Sequence, residues 1–189
     1  MGIAGIAAYV ARAARFAGVV AAAYLLGRGL WLWASGRRPN WGGEGLRLLM
    51  VFYLAAVVEI TALRGVYLQG FRGPGAGQSA AVQLAPLRTT LGQLRAGAWP
   101  FVYHVVGNLA WFMPLGALLP AIDRRATLVH AALAALCLSA AVEGAQWALH
   151  TGQPDVDDLM LNALGGGLGW LGHAAAARRG HRPGRRMQP

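Results

Sequence analysis

Long apolar runs separated by short polar segments make up most of this chain, and their lengths predict helices. Five runs are long enough to cross a bilayer, at about 14–34, 46–68, 100–121, 126–149 and 156–173. A helix buried inside a soluble protein rarely carries more than about 14 consecutive apolar residues. The pattern therefore predicts an all-α fold, a polytopic transmembrane helical bundle with about five spanning helices.

The first run has the flanks of a spanning helix, not those of a signal peptide. It ends in Trp31 and Trp33, and Arg37 and Arg38 follow where a cleaved leader would have a short neutral cleavage site. Aromatic residues in such positions lie at the membrane interface. We therefore expect residues 1–45 to form an N-terminal transmembrane helix with a cytoplasmic loop.

Two charged residues, Glu59 and Arg64, lie deep in the second run. Each costs about 2.5–3.5 kcal/mol at the centre of a spanning helix on insertion scales. Their spacing is poor for a direct pair on one helix face. Two interpretations stay open: Arg64 snorkels while Glu59 hydrogen-bonds another helix, or both belong to a functional site.

Polar residues and a proline interrupt the third run. His104 and Asn108 are one turn apart and share a helix face. Pro114 predicts a kink, and Gly116 predicts close packing or a hinge. In the long loop before this run, Arg88 is the best candidate for contact with an anion, although an ordinary solvated arginine is the alternative.

The fourth and fifth runs carry polar residues at the ends that adjoin each other. Spacings of four, three and four place one polar stripe on the fourth run, made of Ser139, Glu143, Gln146 and His150. The fifth run opens with three aspartates, and one helix face there carries Asp155, Asp158 and Asn162. Small residues leave that face bare below, so a neighbouring helix can approach closely at Gly165, Gly166 and Gly169.

The charge of the chain indicates membrane topology. The net charge is +10, with 17 arginines and no lysine against seven acidic residues. Because most of the arginines lie in loops and at the C-terminus, we expect a lipid bilayer as partner and no nucleic acid. The positive-inside rule with five spans places the basic tail, residues 175–189, in the cytoplasm and the N-terminus outside.

Four sequence blocks together resemble the VanZ-like family of bacterial membrane proteins. The blocks are APLRTT at 85–90, GNLAWFMPLGALLP at 107–120, SAAVEGAQ at 139–146 and DVDDLMLNALGGGLG at 155–169. The resemblance implies a VanZ-like domain at 46–174, with a four-helix core to which the first helix is an addition. It also implies a bacterial plasma membrane location and a link to resistance against glycopeptide antibiotics of the teicoplanin type.

The same resemblance includes one departure. Members of the family usually carry an arginine shortly before the first aspartate of the last block, and Gln153 stands near that place here. The family's anion-binding charges are therefore expected to be fewer in this chain.

With this topology, four polar stretches converge at the outer end of the bundle and predict an outward-facing pocket. Its ligand-binding residues are expected to be Asn108, Glu143, Gln146, Asp155, Asp158 and Asn162, with Arg88 at the rim. The expected ligand is the polar head group of a cell-wall or lipid-linked small molecule. Helix packing beside this pocket is expected at Pro114, Gly116, Gly165 and Gly169.

The chemistry of the predicted pocket stays open. Glu143, Asp155 and Asp158 are candidates for catalytic acid–base work, and the same three can supply oxygen ligands to a divalent cation. No cofactor is required by the sequence, and no motif places a nucleophile beside a base. A membrane-embedded, metal-assisted hydrolase or transferase is thus the alternative to binding alone. A third interpretation is interhelical hydrogen bonding without a ligand.

Overall fold

The computed structural model describes residues 3–63 and 82–180, and these residues form an all-helical protein. The helices are α1 (Ile3–Ser35), α2 (Trp41–Val58), α3 (Arg88–Ala96), α4 (Ala98–Ile122), α5 (Leu128–Ala148) and α6 (Val156–Gly180). A π-helical segment, Glu59–Leu63, continues α2. The described residues contain no β-strand, and a single parallel bridge joins Gln83 to Asp155. The all-α prediction is confirmed.

Three of these helices are long and apolar enough to cross a membrane. They are α1 from Val10 to Ser35, α4 and α5. Membrane-helix character is therefore established by length and composition, whereas the count of about five spans stays a prediction.

The helix bounds follow the apolar runs closely, with three differences. The second helix begins at Trp41, five residues before the predicted start near residue 46. The first helix begins at Ile3, well before the predicted start near residue 14. The last helix continues past its predicted end at His173 to Gly180, and so enters the segment predicted as the tail. This extension has a local cause, because 174–177 are four alanines and Arg178 and Arg179 then favour the negative end of the helix dipole. Residues 64–68 of the second predicted helix lie outside the described residues.

The chain divides into two compact units, one made of residues 1–89 and 138–157 and the other of residues 90–137 and 158–189. In the first unit, α1 packs against α2 through a row of buried alanines at spacings of four, Ala13, Ala17 and Ala21. Small side chains let the two helices approach closely.

Ion pairs join α1 to the second helix at two levels. Near the start of α1, Arg12 Nε lies 3.0 Å from Glu59 Oε1, and the Glu59 side chain is fully buried. Near its end, Arg28 Nη2 lies 2.7 Å from Glu44 Oε1, which also pairs with Arg47 at 2.7 Å. The hydrogen bond from Arg28, together with the charge of Arg47, holds the pKa of Glu44 below its ordinary value.

The pairing of Glu59 bears on the interpretations left open for the second run. Glu59 bonds an arginine of another helix, so its charge is compensated across a helix interface. Arg64, the other charge of that run, lies outside the described residues.

In the second unit, glycines bring helix backbones into direct contact. A β-carbon at Gly116 of α4 would overlap the carbonyl oxygen of Gly166 on α6, and one at Gly169 would overlap that of Met113. A β-carbon at Gly165 would lie 2.5 Å from the carbonyl oxygen of Leu109. Since Leu109 and Met113 meet Gly165 and Gly169 in the same order, this part of α6 runs parallel to α4.

Helix α5 packs on the same glycine-rich stretch of α6. A β-carbon at Gly166 would lie 2.6 Å from the Ala135 methyl and 2.7 Å from the carbonyl oxygen of Ala131. Further along, the indole nitrogen of Trp170 donates a hydrogen bond of 2.9 Å to the carbonyl oxygen of Ala126, just before α5 begins. One run of small residues therefore serves two helix interfaces within this unit.

We predict that Gly169→Ala destabilises the protein by about 1–3 kcal/mol, because the added methyl forces α4 and α6 apart. Gly172→Ala is the matched control on the same helix, since no atom lies within 4 Å of a β-carbon there. That variant should be neutral, or more stable by up to about 1 kcal/mol from helix propensity. Thermal unfolding in a mild detergent measures both, and equal melting temperatures would contradict the packing described above.

We also predict that Arg12→Met destabilises the first unit by about 3–5 kcal/mol, because it leaves the buried Glu59 carboxylate without its charge partner. The double variant Arg12→Met with Glu59→Met should recover most of that loss, since no buried charge remains. Arg15→Met is the control, because Arg15 is exposed and makes no ion pair within the described part of the chain. Denaturation in increasing dodecyl sulfate ranks the three, and a loss at Arg15 equal to that at Arg12 would refute the pairing.

Candidate functional site

The start of α6 is held by the segment that precedes α3. The backbone nitrogen of Gln83 donates to the carbonyl oxygen of Pro154 at 2.8 Å, and that of Val156 donates to the carbonyl oxygen of Gln83 at 3.0 Å. These two bonds form the parallel bridge of the first unit. They place residues 82–89 alongside the acidic end of the last sequence block.

Asp155 caps α6 from the position just before the helix. Its Oδ1 accepts a bond of 2.9 Å from the backbone nitrogen of Asp157, as an N-cap side chain does. Its Oδ2 accepts a hydrogen bond from the Thr89 hydroxyl. Its own backbone nitrogen donates to Glu143 Oε2 at 3.3 Å. Asp155 was predicted to share a helix face with Asp158, but it precedes the first turn of α6, and its two oxygens accept hydrogen bonds from the Asp157 backbone and from Thr89.

Asp157 is the most buried carboxylate of this block, with an exposed fraction of 1%. It accepts a hydrogen bond from the backbone nitrogen of Leu87, a residue in the left-handed region at φ 64°. Asp157 was not among the residues predicted to line the pocket. Its contact is with a backbone group 70 residues away in the chain, and helix spacing does not reveal such contacts.

Glu143 and Gln146 bond backbone groups in the first unit. Glu143, with 7% exposed, accepts the Asp155 backbone bond described above. The Gln146 amide donates a 3.0 Å hydrogen bond to the carbonyl oxygen of Thr61, inside the π-helical segment. A π-helical turn changes the intrahelical bonding of its carbonyls, and Gln146 satisfies one of them from outside.

A polar cavity of about 380 Å³ lies in the first unit, lined by Val82, Gln83, Arg88, Thr89, Gln153 and Asp155. Arg88 is exposed, and its guanidinium makes no hydrogen bond or ion pair with any residue that the structure describes. The carboxylate of Asp155, by contrast, already accepts bonds from Asp157 and Thr89. The cavity therefore offers one open cation together with the side-chain amide donors of Gln83 and Gln153.

A second polar cluster lies in the second unit and joins α3, α4 and α6. The Asn108 amide donates to Asp158 Oδ1 at 2.8 Å. Nδ1 of His104 lies 3.7 Å from the same oxygen. On the other side of the ring, Nε2 of His104 lies 3.4 Å from the Thr90 hydroxyl oxygen. This places a hydroxyl, an imidazole and a carboxylate in sequence.

The predicted ligand-binding residues are thus found in two separate groupings. In the first unit, Arg88 and Asp155 line one cavity, and Glu143 bonds the backbone of Asp155. In the second unit, Asn108 bonds Asp158, while Asn162 is buried one turn further along α6. A single pocket built from all seven predicted residues stays a prediction.

Metal binding at Glu143, Asp155 and Asp158 was one of the alternatives raised by the sequence. Across residues 3–63 and 82–180, no group of three or more His, Cys, Asp or Glu side chains is placed to hold a metal ion.

Four residues of the two groupings were not among the predicted pocket residues, namely Gln83, Thr89, Thr90 and Asp157. The two threonines belong to the block APLRTT, so the block itself was recognised. Their partners are 66 and 14 residues away in the chain, and such contacts follow from tertiary structure alone.

Comparison with known proteins identifies the family. The VanZ/LLP1 family model matches residues 43–176, which is more than half of the chain. No curated protein and no solved structure matches the sequence. The matched region begins within α2 and ends within α6, so α1 lies outside it. The chain belongs to the VanZ/LLP1 family.

Proposed function

We propose that this protein binds the anionic head group of an envelope component in the cavity beside Arg88, and that this binding lowers susceptibility to glycopeptides of the teicoplanin type. The single observation that carries the proposal is the open guanidinium of Arg88 at a polar cavity of about 380 Å³. Arginine presents a planar set of donors that suits phosphate and carboxylate groups.

The remaining lining residues favour an anion over a cation. The side-chain amides of Gln83 and Gln153 can donate hydrogen bonds to ligand oxygens. Asp155 is the one acid of the lining, and the bonds from Asp157 and Thr89 offset its negative charge. Gln153 stands where the family usually has an arginine, so Arg88 carries the anion contact without a second cation from that position.

The proposed location is the bacterial plasma membrane, with the cavity open to the exterior and the C-terminus in the cytoplasm. With about five spans, the segment before α3 and the segment before α6 both fall outside. Support comes from the arginines at 37, 38, 124, 125, 178 and 179, which fall on the opposite side under the same count. The parallel course of α4 and α6 agrees with two odd-numbered spans.

The proposed ligand class is a small molecule of the cell wall or one linked to a lipid carrier. Such compounds combine a phosphate or carboxylate head group with a position at the outer membrane surface. Sequestering or shielding that head group would change how much of it a glycopeptide can reach, which accounts for the resistance link implied by the family.

We predict that Arg88→Gln weakens binding of farnesyl phosphate to the full-length protein in lipid nanodiscs by about tenfold or more. The lost charge-assisted hydrogen bonds are worth about 1.5–3 kcal/mol, and each 1.4 kcal/mol is a factor of ten in affinity. Arg95→Gln is the matched control, since Arg95 lies on the same helix, is exposed and does not line the cavity. Farnesol, which lacks the phosphate, should bind neither form specifically.

In cells, the same proposal is tested by measuring the minimum inhibitory concentration of teicoplanin in a susceptible host that produces each variant. The unaltered protein and Arg95→Gln should raise it above the empty vector, and Arg88→Gln should not, at equal membrane abundance. Equal phosphate binding by Arg88→Gln and the unaltered protein would refute the proposal. Release of inorganic phosphate that requires added Mg²⁺ would instead favour the metal-assisted hydrolase.

A further inference from the structure

In the polar cluster of the second unit, a hydroxyl, an imidazole and a carboxylate follow one another, which is the order that activates a hydroxyl for nucleophilic attack. Thr90 Oγ1 lies 3.4 Å from Nε2 of His104, and Nδ1 of the same ring lies 3.7 Å from Asp158 Oδ1. We propose that Thr90, His104 and Asp158 form a catalytic constellation for acyl transfer, with an ester of an amphiphile as substrate class. This inference goes beyond the anion-binding function and rests on different residues.

Each member is supplied by a different helix, so the arrangement is a product of tertiary packing. Thr90 lies on α3, His104 on α4 and Asp158 on α6. The contact of α4 with α6 is fixed below the cluster by the glycines at 116, 165 and 169. Because these backbones meet directly, the two helices hold His104 and Asp158 at a defined separation. Distances slightly longer than ordinary hydrogen bonds are usual for catalytic groups without substrate.

The surroundings of the ring favour the tautomer that catalysis needs. Nδ1 faces two groups, the amide nitrogen of Asn108 at 3.5 Å and Asp158 Oδ1 at 3.7 Å. The Asn108 amide makes its shorter hydrogen bond to Asp158, so in the proposed active form the carboxylate holds a proton on Nδ1, and Nε2 is then an acceptor facing the Thr90 hydroxyl. Asn108 donates to Asp158 Oδ1 at 2.8 Å and so orients the carboxylate. The His104 side chain is only 11% exposed, which limits competition from water.

In the proposed reaction, Thr90 Oγ1 attacks the ester carbonyl carbon while Nε2 of His104 takes the hydroxyl proton. The new bond joins Oγ1 to the acyl carbon, and the ester carbon–oxygen bond breaks. His104 then passes the proton to the leaving alkoxide, which departs as an alcohol. Water attacks the acyl-threonine in the second half, with His104 again taking and returning one proton. Thr90 and His104 are catalytic residues, whereas Asp158 and Asn108 position the ring.

Apolar side chains beside the cluster indicate an amphiphilic substrate. Leu91 and Leu94 on α3 are 46% and 51% exposed, and Trp99 and Tyr103 on α4 are 77% and 71% exposed. Leu94 lies one turn after Thr90, so these two residues share a face of α3. An acyl chain can lie along these surfaces while its ester group reaches Thr90, as befits a protein whose α4 is long and apolar enough to span a membrane.

A second threonine–histidine pair in the same unit, Thr127 and His130, caps a helix and serves as a comparison for Thr90 and His104. Thr127 Oγ1 lies 2.9 Å from Nδ1 of His130, closer than Thr90 is to His104. However, the Thr127 backbone nitrogen also donates to that Nδ1 at 3.1 Å, and the His130 backbone nitrogen donates back to the Thr127 hydroxyl at 3.4 Å. This reciprocal pattern caps α5. No carboxylate pairs with His130 among the residues described.

The decisive experiment treats the full-length protein in nanodiscs with an alkyl fluorophosphonate and maps the adduct by mass spectrometry. An activated hydroxyl displaces fluoride and becomes phosphonylated. We expect the label on Thr90 and none on Thr127, although Thr127 has the shorter contact with a histidine. This readout on the unaltered chain needs no variant to fold.

Variants then test whether labelling of the Thr90 hydroxyl depends on His104 and on the threonine that is changed. Thr90→Val and His104→Gln should abolish labelling, Thr90→Ser should retain it, and Thr127→Val should leave it unchanged. With p-nitrophenyl octanoate as the ester, Asp158→Asn should lower kcat by about a hundredfold or more and leave KM nearly unchanged, because loss of the orienting carboxylate in a serine triad costs about 10⁴. An unlabelled Thr90 in folded protein, equal labelling of Thr127, or a purely KM-based effect of Asp158→Asn would each overturn the proposal.

Discussion

The first turn of α6 must have its polar backbone and side-chain groups satisfied, and the candidate site depends on how this is done. A helix start leaves several backbone nitrogens without intrahelical partners, and in an apolar setting each is costly. Asp155 caps one of them, and the backbone of Gln83 bonds both neighbours of Asp155. Asp157 in turn receives the backbone nitrogen of Leu87. The segment 82–89 is therefore part of the helix start, and the cavity beside Arg88 is a consequence of that docking.

Charge compensation and close backbone packing explain how such polar groups are tolerated in an apolar chain. Glu59 is fully buried and bonds Arg12, and Glu44 bonds Arg28 near the other end of the same helix. The family match begins after α1, yet both arginines belong to α1. The additional helix thus supplies two cations to carboxylates of the matched domain and is integrated into the first unit through them.

The two polar groupings differ in chemistry because their carboxylates have different partners. Asp155 accepts bonds from a backbone nitrogen and a hydroxyl, which leaves Arg88 as the open charge of its cavity. Asp158 instead faces the Nδ1 of His104, whose other nitrogen faces a hydroxyl. The first grouping suits recognition of an anion, and the second suits proton transfer. Neighbouring acids of one sequence block therefore have different hydrogen-bond partners.

Helix identity and approximate bounds could be predicted from the sequence alone because the apolar runs are long and their ends are marked by Trp, Gly, Asp and Arg. Runs 100–121, 126–149 and 156–173 correspond to α4, α5 and α6 with shifts of at most two residues at their starts. The family could be recognised for a similar reason, since its blocks are local strings of residues. The alanines at 174–177 favour the observed extension of α6 to Gly180, but the predicted helix ended at His173, before these alanines.

Only the tertiary structure decided which polar groups meet. Helix spacing placed Glu143, Gln146 and His150 on one stripe, but it could not reveal that Gln146 bonds Thr61 or that Arg12 reaches Glu59 across a helix interface. Those partners are separated by 85 and 47 residues, and local periodicity carries no information over such distances. Sequence determined the helices and the family because both depend on local composition. The pairing of hydroxyl, imidazole and carboxylate depended on how three helices pack, which a one-dimensional pattern does not encode.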